Sequence, residues 1–140
     1  MTRKAFLVAG TIWCLRADDA SDIWDLFTEM ASALSDGKAA EFMQGCDRNM
    51  AGYDDLRRNI AALLLVYEVH SSIELVSEER DGAMHSVELD WFLQIVEKQD
   101  TASVTRRRQI IRCRLVKEKK KWRITAFEPV AFFAPPNPPA

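Results

Sequence analysis

The feature of this sequence that most constrains its fold is a change in hydrophobic period near residue 67. Before that point the apolar residues recur every three to four positions, as they do along one face of a helix, and after it they alternate. The alternating segments are joined by short turns, among them Asp81-Gly82, a dipeptide typical of β-hairpins. Helices followed by hairpin-connected strands predict an α+β domain with helices packed on one face of an antiparallel sheet.

The pattern divides the chain into three helices and four strands. Ser21 can cap the first helix, and Gly37 can end it. We predict helices over 21–37, 38–46 and 53–69. We predict strands over 69–79, 84–98, 104–118 and 122–129.

The first twenty residues resemble a secretory signal peptide. Arg3 and Lys4 precede eleven uncharged residues, and a polar stretch follows with small residues at Ala17 and Ala20. We expect cleavage after Ala17, with Ala20 as the alternative site, and export to the periplasm or the medium. The alternative is a short apolar helix that packs on the domain of a cytoplasmic protein. The expected division is a signal peptide at 1–17, a domain at 18–133 and a disordered proline-rich tail at 134–140.

Composition and charge narrow the classes of function. A chain of 140 residues with a net charge of −2 suits one globular domain and argues against a general nucleic-acid binder. After cleavage no apolar run is long enough to cross a membrane. Cys46 and Cys113 can form a disulfide in an oxidising compartment or remain buried thiols, and their spacing excludes a paired-cysteine zinc site. We expect no cofactor or metal, and we expect His70 and His85 to lie at the surface and close together.

The second strand raises the question of function, because it places a carboxylate, Asp90, beside Trp91. Alternation puts Trp91 on an unbroken apolar face toward the helices, and Asp90 and Glu88 on the opposite face. There they would pair with arginines of the third strand, Arg108 or Arg112 among them. The alternative is a β-bulge that turns Asp90 into the interior, where burial would raise its pKa and make it a general base.

The order of elements, with the last-strand motif "KKKWRITAF", resembles the NTF2-like superfamily. This superfamily has a cystatin-like cone and includes ketosteroid isomerase, scytalone dehydratase and SnoaL-like proteins. The resemblance covers about residues 18–133 and is greatest to small exported members of uncharacterised function. It implies a curved sheet that forms a cone with the helices, a pocket in the cone, and dimers through the outer face of the sheet. Isomerase-type members carry a tyrosine on the first helix, and this chain has Trp24 and Phe27 there instead.

Two functional hypotheses follow. The first is a non-catalytic NTF2-like module, a homodimer through the sheet face, that binds a small apolar ligand or a protein partner. Its pocket would be lined by Trp24, Phe27, Tyr53 and Trp91. The second is a cofactor-free isomerase, dehydratase or cyclase with Asp90 as the general base.

Overall fold

The computed structural model describes residues 12–136, which form three helices and a four-stranded sheet. The helices are α1 (Ile12–Ser35), α2 (Ala39–Met43) and α3 (Tyr53–Val66). The strands are β1 (Tyr67–Asp81), β2 (Met84–Glu97), β3 (Val104–Glu118) and β4 (Lys121–Glu128), and a 3-10 helix, Val130–Phe133, follows them. Most of the predicted signal peptide, residues 1–11, and the end of the predicted tail, residues 137–140, lie outside the described residues.

The sheet is an antiparallel meander in which each strand pairs with the next along the chain, in the order β1-β2-β3-β4. The predicted hairpin turn joins β1 to β2, and Gly82 takes a positive φ of 63° there, a conformation that glycine adopts without a steric penalty. The register shifts at two places, between Leu75 and Ser77 of β1 and between Arg114 and Leu115 of β3. The predicted α+β architecture, with three helices before a four-stranded antiparallel sheet, is confirmed.

The core lies between the helices and one face of the sheet, as the alternation of β2 predicts. Every second side chain of β2 from Val87 to Ile95 is at most 1% exposed. Opposite this row, α1 contributes Ile23, Phe27, Met30 and Leu34, which are all buried. The helical and strand periods therefore bring their apolar faces together over one continuous core.

Several predicted boundaries differ from the structure, among them the start of the first helix, both ends of the second helix and the end of the third. The first helix begins at Ile12, so that Ser21 lies within α1 and is not its N-cap. The chain contains no glycine or proline between Ile12 and Ser35. The helix therefore continues toward the N-terminus past Ser21, its predicted first residue. The third helix ends at Val66 and not at residue 69, because pairing with β2 draws Tyr67 into the sheet, where it lies opposite Glu97.

The chain after β4 folds back against the body of the protein. Phe132 is 5% exposed and Phe133 is fully buried. Two side chains from the body donate hydrogen bonds to its backbone: Asn59 to the Val130 carbonyl, and Arg107 to the carbonyls of Phe132 and Ala134. The two phenylalanines therefore anchor this segment to the core.

Candidate functional site

The four predicted pocket residues do not come together in one place. Phe27 and Trp91 are both fully buried and meet edge to face, with ring centroids 6.5 Å apart. Trp24 is 39% exposed, because it follows Ile23 on the helix and so turns away from the core. Tyr53 begins α3 and only partly enters the core.

The interior is instead occupied by an aromatic cluster, a name used here for Phe42, Trp91, Phe127 and Phe133. Each of the four rings contacts the other three, with centroid distances between 5.3 and 6.3 Å and mostly edge-on geometry. Such arrangements match the negative ring face of one residue to the positive ring edge of another. The cluster joins α2, β2, β4 and the C-terminal 3-10 helix at the centre of the cone.

The only polar atom of the cluster's side chains, the indole nitrogen of Trp91, already has an acceptor. Trp91 Nε1 donates a hydrogen bond to Ser71 Oγ at 2.7 Å. Ser71 lies on β1, and its backbone nitrogen bonds to Ser35 Oγ at the end of α1. The buried indole is therefore satisfied, and its ring acts as an apolar wall.

Asp90 lies on the outer face of the sheet, where Arg108 binds it. Arg108 Nε is 3.0 Å from both carboxylate oxygens, and Nη2 is 2.6 Å from Oδ2. This forked contact is the geometry that guanidinium groups form with carboxylates. The hydrogen bonds from Arg108 lower the pKa of the Asp90 carboxyl, so Asp90 is ionised near neutral pH.

Glu88 forms a second ion pair on the same face. It lies directly opposite Arg112, whose Nε is 2.9 Å from Oε2. Ser77 donates to Oε1 at 2.8 Å, because the register shift after Leu75 brings Ser77 opposite Glu88. The hydrogen bonds from Arg112 and Ser77 lower the pKa of the Glu88 carboxyl.

The β-bulge that the catalytic hypothesis needs is not in β2. Buried and half-buried side chains alternate along that strand from His85 to Ile95, and Asp90 keeps its outward position. The register shifts fall in β1 and between β3 and β4. The carboxylate therefore lies beside a guanidinium and not in the apolar interior that would raise its pKa.

The outer face is not purely polar. Ile110, which is 39% exposed, lies directly opposite Asp90, and the half-buried Phe92 is the neighbouring outward residue of β2. Asp90, Phe92 and Arg108 also line an open depression of about 220 Å³ with three β1 residues, Ser72, Ile73 and Glu74. Charged and apolar side chains are thus interleaved at the centre of this face.

The surface position predicted for both histidines is confirmed for His70, which is exposed, and wrong for His85, and the two do not lie close together. His85 is only 4% exposed, and its ring lies 4.7 Å from that of Trp122. His70 pairs with Gln94, whereas His85 pairs with Arg80, so the two histidines lie at opposite ends of the hairpin. The predicted turn at Asp81-Gly82 already implies this separation, since it places His85 beside the turn and His70 far from it.

The two cysteines of the domain are free thiols in the structure, and both are buried. Burial raises the pKa of Cys46 to about 12 and that of Cys113 well above its usual value. The described part of the chain contains no group of three or more His, Cys, Asp or Glu side chains placed to hold a metal ion. Among the described helices, none combines the length and the apolar character needed to span a bilayer.

Sequence reasoning missed Arg107, although alternation already separates it from its neighbours. Arg107 pairs with Leu93 of β2 and so belongs to the inner row of β3, next to the core. Burial lowers the pKa of its guanidinium. It donates to the carbonyls of Phe132 and Ala134 at 2.8 and 2.5 Å.

Known structures share this architecture, although sequence comparisons do not reveal it. Neither models of known protein families nor curated protein sequences match the chain. One similar structure is that of Rv3472, a protein of unknown function from Mycobacterium tuberculosis. It has a TM-score of 0.69 and 15% identity over 84% of this chain and 73% of that one.

Two further structures have comparable scores. A protein of unknown function with a cystatin-like fold from Nostoc punctiforme has a TM-score of 0.59 and 15% identity, over 79% of this chain and 89% of its own. A hexachlorocyclohexane dehydrochlorinase has a TM-score of 0.64 and 10% identity, over 80% and 84%. The chain therefore has the NTF2-like, or cystatin-like, fold.

Proposed function

We propose that this chain, which has the NTF2-like fold, is a non-catalytic module that forms a homodimer through the outer face of its sheet and binds a small apolar ligand in its cone. The observation that carries the proposal is the division of β2 into two faces. Its inner residues are buried in the core, where Trp91 joins the aromatic cluster, and its outer acids are ion-paired on a face that also exposes apolar side chains.

The outer face has the composition of an interface. In the pairs Asp90–Arg108 and Glu88–Arg112 each carboxylate is neutralised by an arginine of the same chain. A second copy can therefore cover this face without burying an unpaired carboxylate. Phe92 and Ile110 supply apolar area between these pairs. A two-fold arrangement places the same patch of both copies in contact.

Sedimentation equilibrium of the wild-type chain and of Ile110→Asp tests this assembly. We expect a dimer for the wild type and a monomer for Ile110→Asp, because the substitution buries a carboxylate at the centre of the interface. Leu65→Asp is the matched control, since Leu65 is 77% exposed on α3 and away from the sheet face, and it should remain dimeric. A wild type that stays monomeric at high concentration contradicts the proposal.

The catalytic alternative has less support. The dehydrochlorinase with this fold is an enzyme by name, and a cofactor-free isomerase, dehydratase or cyclase remains the second hypothesis for this chain. A general base needs a pKa close to the working pH, whereas Arg108 lowers the pKa of Asp90. This observation favours the binding module.

Export belongs to the same proposal. The basic start and the apolar middle of the first seventeen residues support cleavage after Ala17. Expression with the native N-terminus, followed by N-terminal sequencing of the mature protein, should give a chain that starts at Asp18. A mature protein that starts at Met1 or Thr2 rules out this processing.

A further inference from the structure

The C-terminal segment, Val130–Ala134, is attached to the body by few polar contacts. Three side-chain hydrogen bonds reach its backbone, one from Asn59 and two from Arg107. The last strand ends before it, at Glu128, so the segment can leave without breaking any pairing of the sheet. The polar attachment of the segment is therefore weak, and the burial of Phe132 and Phe133 supplies most of the free energy that keeps it closed.

The segment inserts one ring, that of Phe133, into the centre of the aromatic cluster. The Phe133 ring lies 5.3 Å from Trp91 and 5.6 Å from both Phe42 and Phe127. The three other rings are carried by α2, β2 and β4 and stay with the body of the protein. They would offer the same edge and face contacts to any planar ring of similar size.

Arg107 is a half-buried cation whose hydrogen bonds to Phe132 and Ala134 both reach the C-terminal segment. Among the described residues, no carboxylate lies within ion-pair distance of it. A guanidinium keeps its charge at all physiological pH values, and its fork of donors matches a carboxylate better than two amide carbonyls. Opening of the segment would leave this cation in need of an acceptor beside an empty apolar space.

We propose that Arg107 and the aromatic cluster form a binding site for an arylalkanoate, a planar aromatic ring on a short chain that ends in a carboxylate. The C-terminal segment is the lid that fills this site in the absence of ligand. The ring of the ligand takes the place of Phe133, and its carboxylate replaces the carbonyls of Phe132 and Ala134 at Arg107. The inference rests on the ligand-binding part of the proposed function.

The spacing within the lid sets the length of the ligand. Phe132 and Ala134, whose carbonyls bind Arg107, flank Phe133 directly. The carbonyl carbon of Phe132 is therefore about four bonds from the nearest ring carbon of Phe133, and that of Ala134 is about six bonds from it. The probe 4-phenylbutyrate has the same spacing as the nearer of these carbonyls, and its amide, 4-phenylbutanamide, has the same shape without the charge.

Calorimetric titration of the full chain with both probes tests the site. A closed lid reduces apparent affinity in proportion to the open fraction, so the wild type should bind weakly. Phe133→Ala removes the occupying ring, and we expect it to bind 4-phenylbutyrate about tenfold more tightly than the wild type. Asn59→Ala removes one bond that holds the lid, and it should shift affinity in the same direction by a smaller factor.

Charge selectivity separates this site from a simple cavity. A cavity made only by deleting a ring should bind the neutral amide more tightly than the charged acid. If Arg107 binds the carboxylate, Phe133→Ala should instead bind the acid about tenfold more tightly than the amide. Adding Arg107→Gln should abolish this preference. Leu34→Ala is the control, since it shortens a fully buried side chain on α1, outside the aromatic cluster, and its affinity should match the wild type. Equal binding of acid and amide by Phe133→Ala overturns the proposal.

Asn59→Ala tests the lid independently of Phe133→Ala. If Phe133→Ala does not fold, Asn59→Ala provides the answer, and an unchanged affinity there overturns the lid. Sedimentation of the same samples separates the two proposals. Loss of the predicted binding in a chain that remains dimeric refutes only the arylalkanoate site, whereas a monomer that binds the acid refutes only the proposed assembly.

Discussion

Replacing Phe42 with alanine is expected to destabilise this protein far more than its place on a five-residue helix suggests. Phe42 is fully buried, and its ring lies 5.6 Å from Phe133 and 6.3 Å from both Trp91 and Phe127. The substitution removes one ring from a cluster in which each ring contacts the other three. The surrounding strands cannot close the space, so we expect a cost in unfolding free energy of about 3–5 kcal/mol.

Such a cost is a large share of the stability of a single domain, which is about 5–15 kcal/mol in total. For a chain of this length it corresponds to a fall in melting temperature of about 10–15 °C. Urea unfolding followed by circular dichroism should show a lower midpoint with an unchanged denaturant slope. A changed slope would mean that the substitution altered compactness as well as stability.

Phe92→Ala is the matched comparison, because Phe92 is a half-buried phenylalanine on the outer face of the same sheet. Measured at low protein concentration, it should cost less than about 1 kcal/mol. The reasoning is refuted if Phe42→Ala lies within about 1 kcal/mol of the wild type, or if it costs no more than Phe92→Ala.

Three further predictions concern single groups. Arg108→Gln should raise the pKa of the Asp90 carboxyl, measured as its titration midpoint by NMR. Because the pKa of Asp90 is lowered in the folded state, the Asp90–Arg108 pair stabilises the fold fully above the ordinary carboxyl pKa, and this stabilisation disappears as the pH falls through the lowered pKa. Cys46 and Cys113 should react with a thiol reagent much more slowly in the folded protein than in denaturant, and rapid native labelling would contradict their burial and raised pKa values. Gly52→Ala should lower the unfolding free energy by about 1 kcal/mol in denaturant titration, since Gly52 has a φ of +80° before α3, and an unchanged midpoint would show that the backbone relaxes there.

Much of the site's outer face was predictable from local pattern. The alternation of side chains along β2 predicts that Asp90 and Glu88 lie on the outer face, and the alternation along β3 predicts arginines beside them. The structure places Arg108 and Arg112 there. The choice of partner was not predictable. Asp90 is opposite Ile110 in register and reaches diagonally to Arg108, a detail set by strand alignment and side-chain reach.

The interior was less predictable, because its members come from distant parts of the chain. Trp24 and Phe27 are equally aromatic in the sequence, yet only Phe27 enters the core. Phe133 is the last residue before the predicted proline-rich tail, and it fills the centre of the aromatic cluster. No local signal pairs it with Phe42, since the two residues are separated by the whole meander.

The sequence by itself determined the order of helices and strands, the apolar face of each and the outward position of Asp90. Helical periodicity and strand alternation are local properties, because they depend only on residues two, three or four positions apart. Only the tertiary structure decided which faces meet, that His85 is buried against Trp122, and that Arg107 binds the carbonyls of Phe132 and Ala134. Those contacts depend on the register of the sheet and on the path of the chain after β4, which are long-range consequences of packing that no short window of sequence contains.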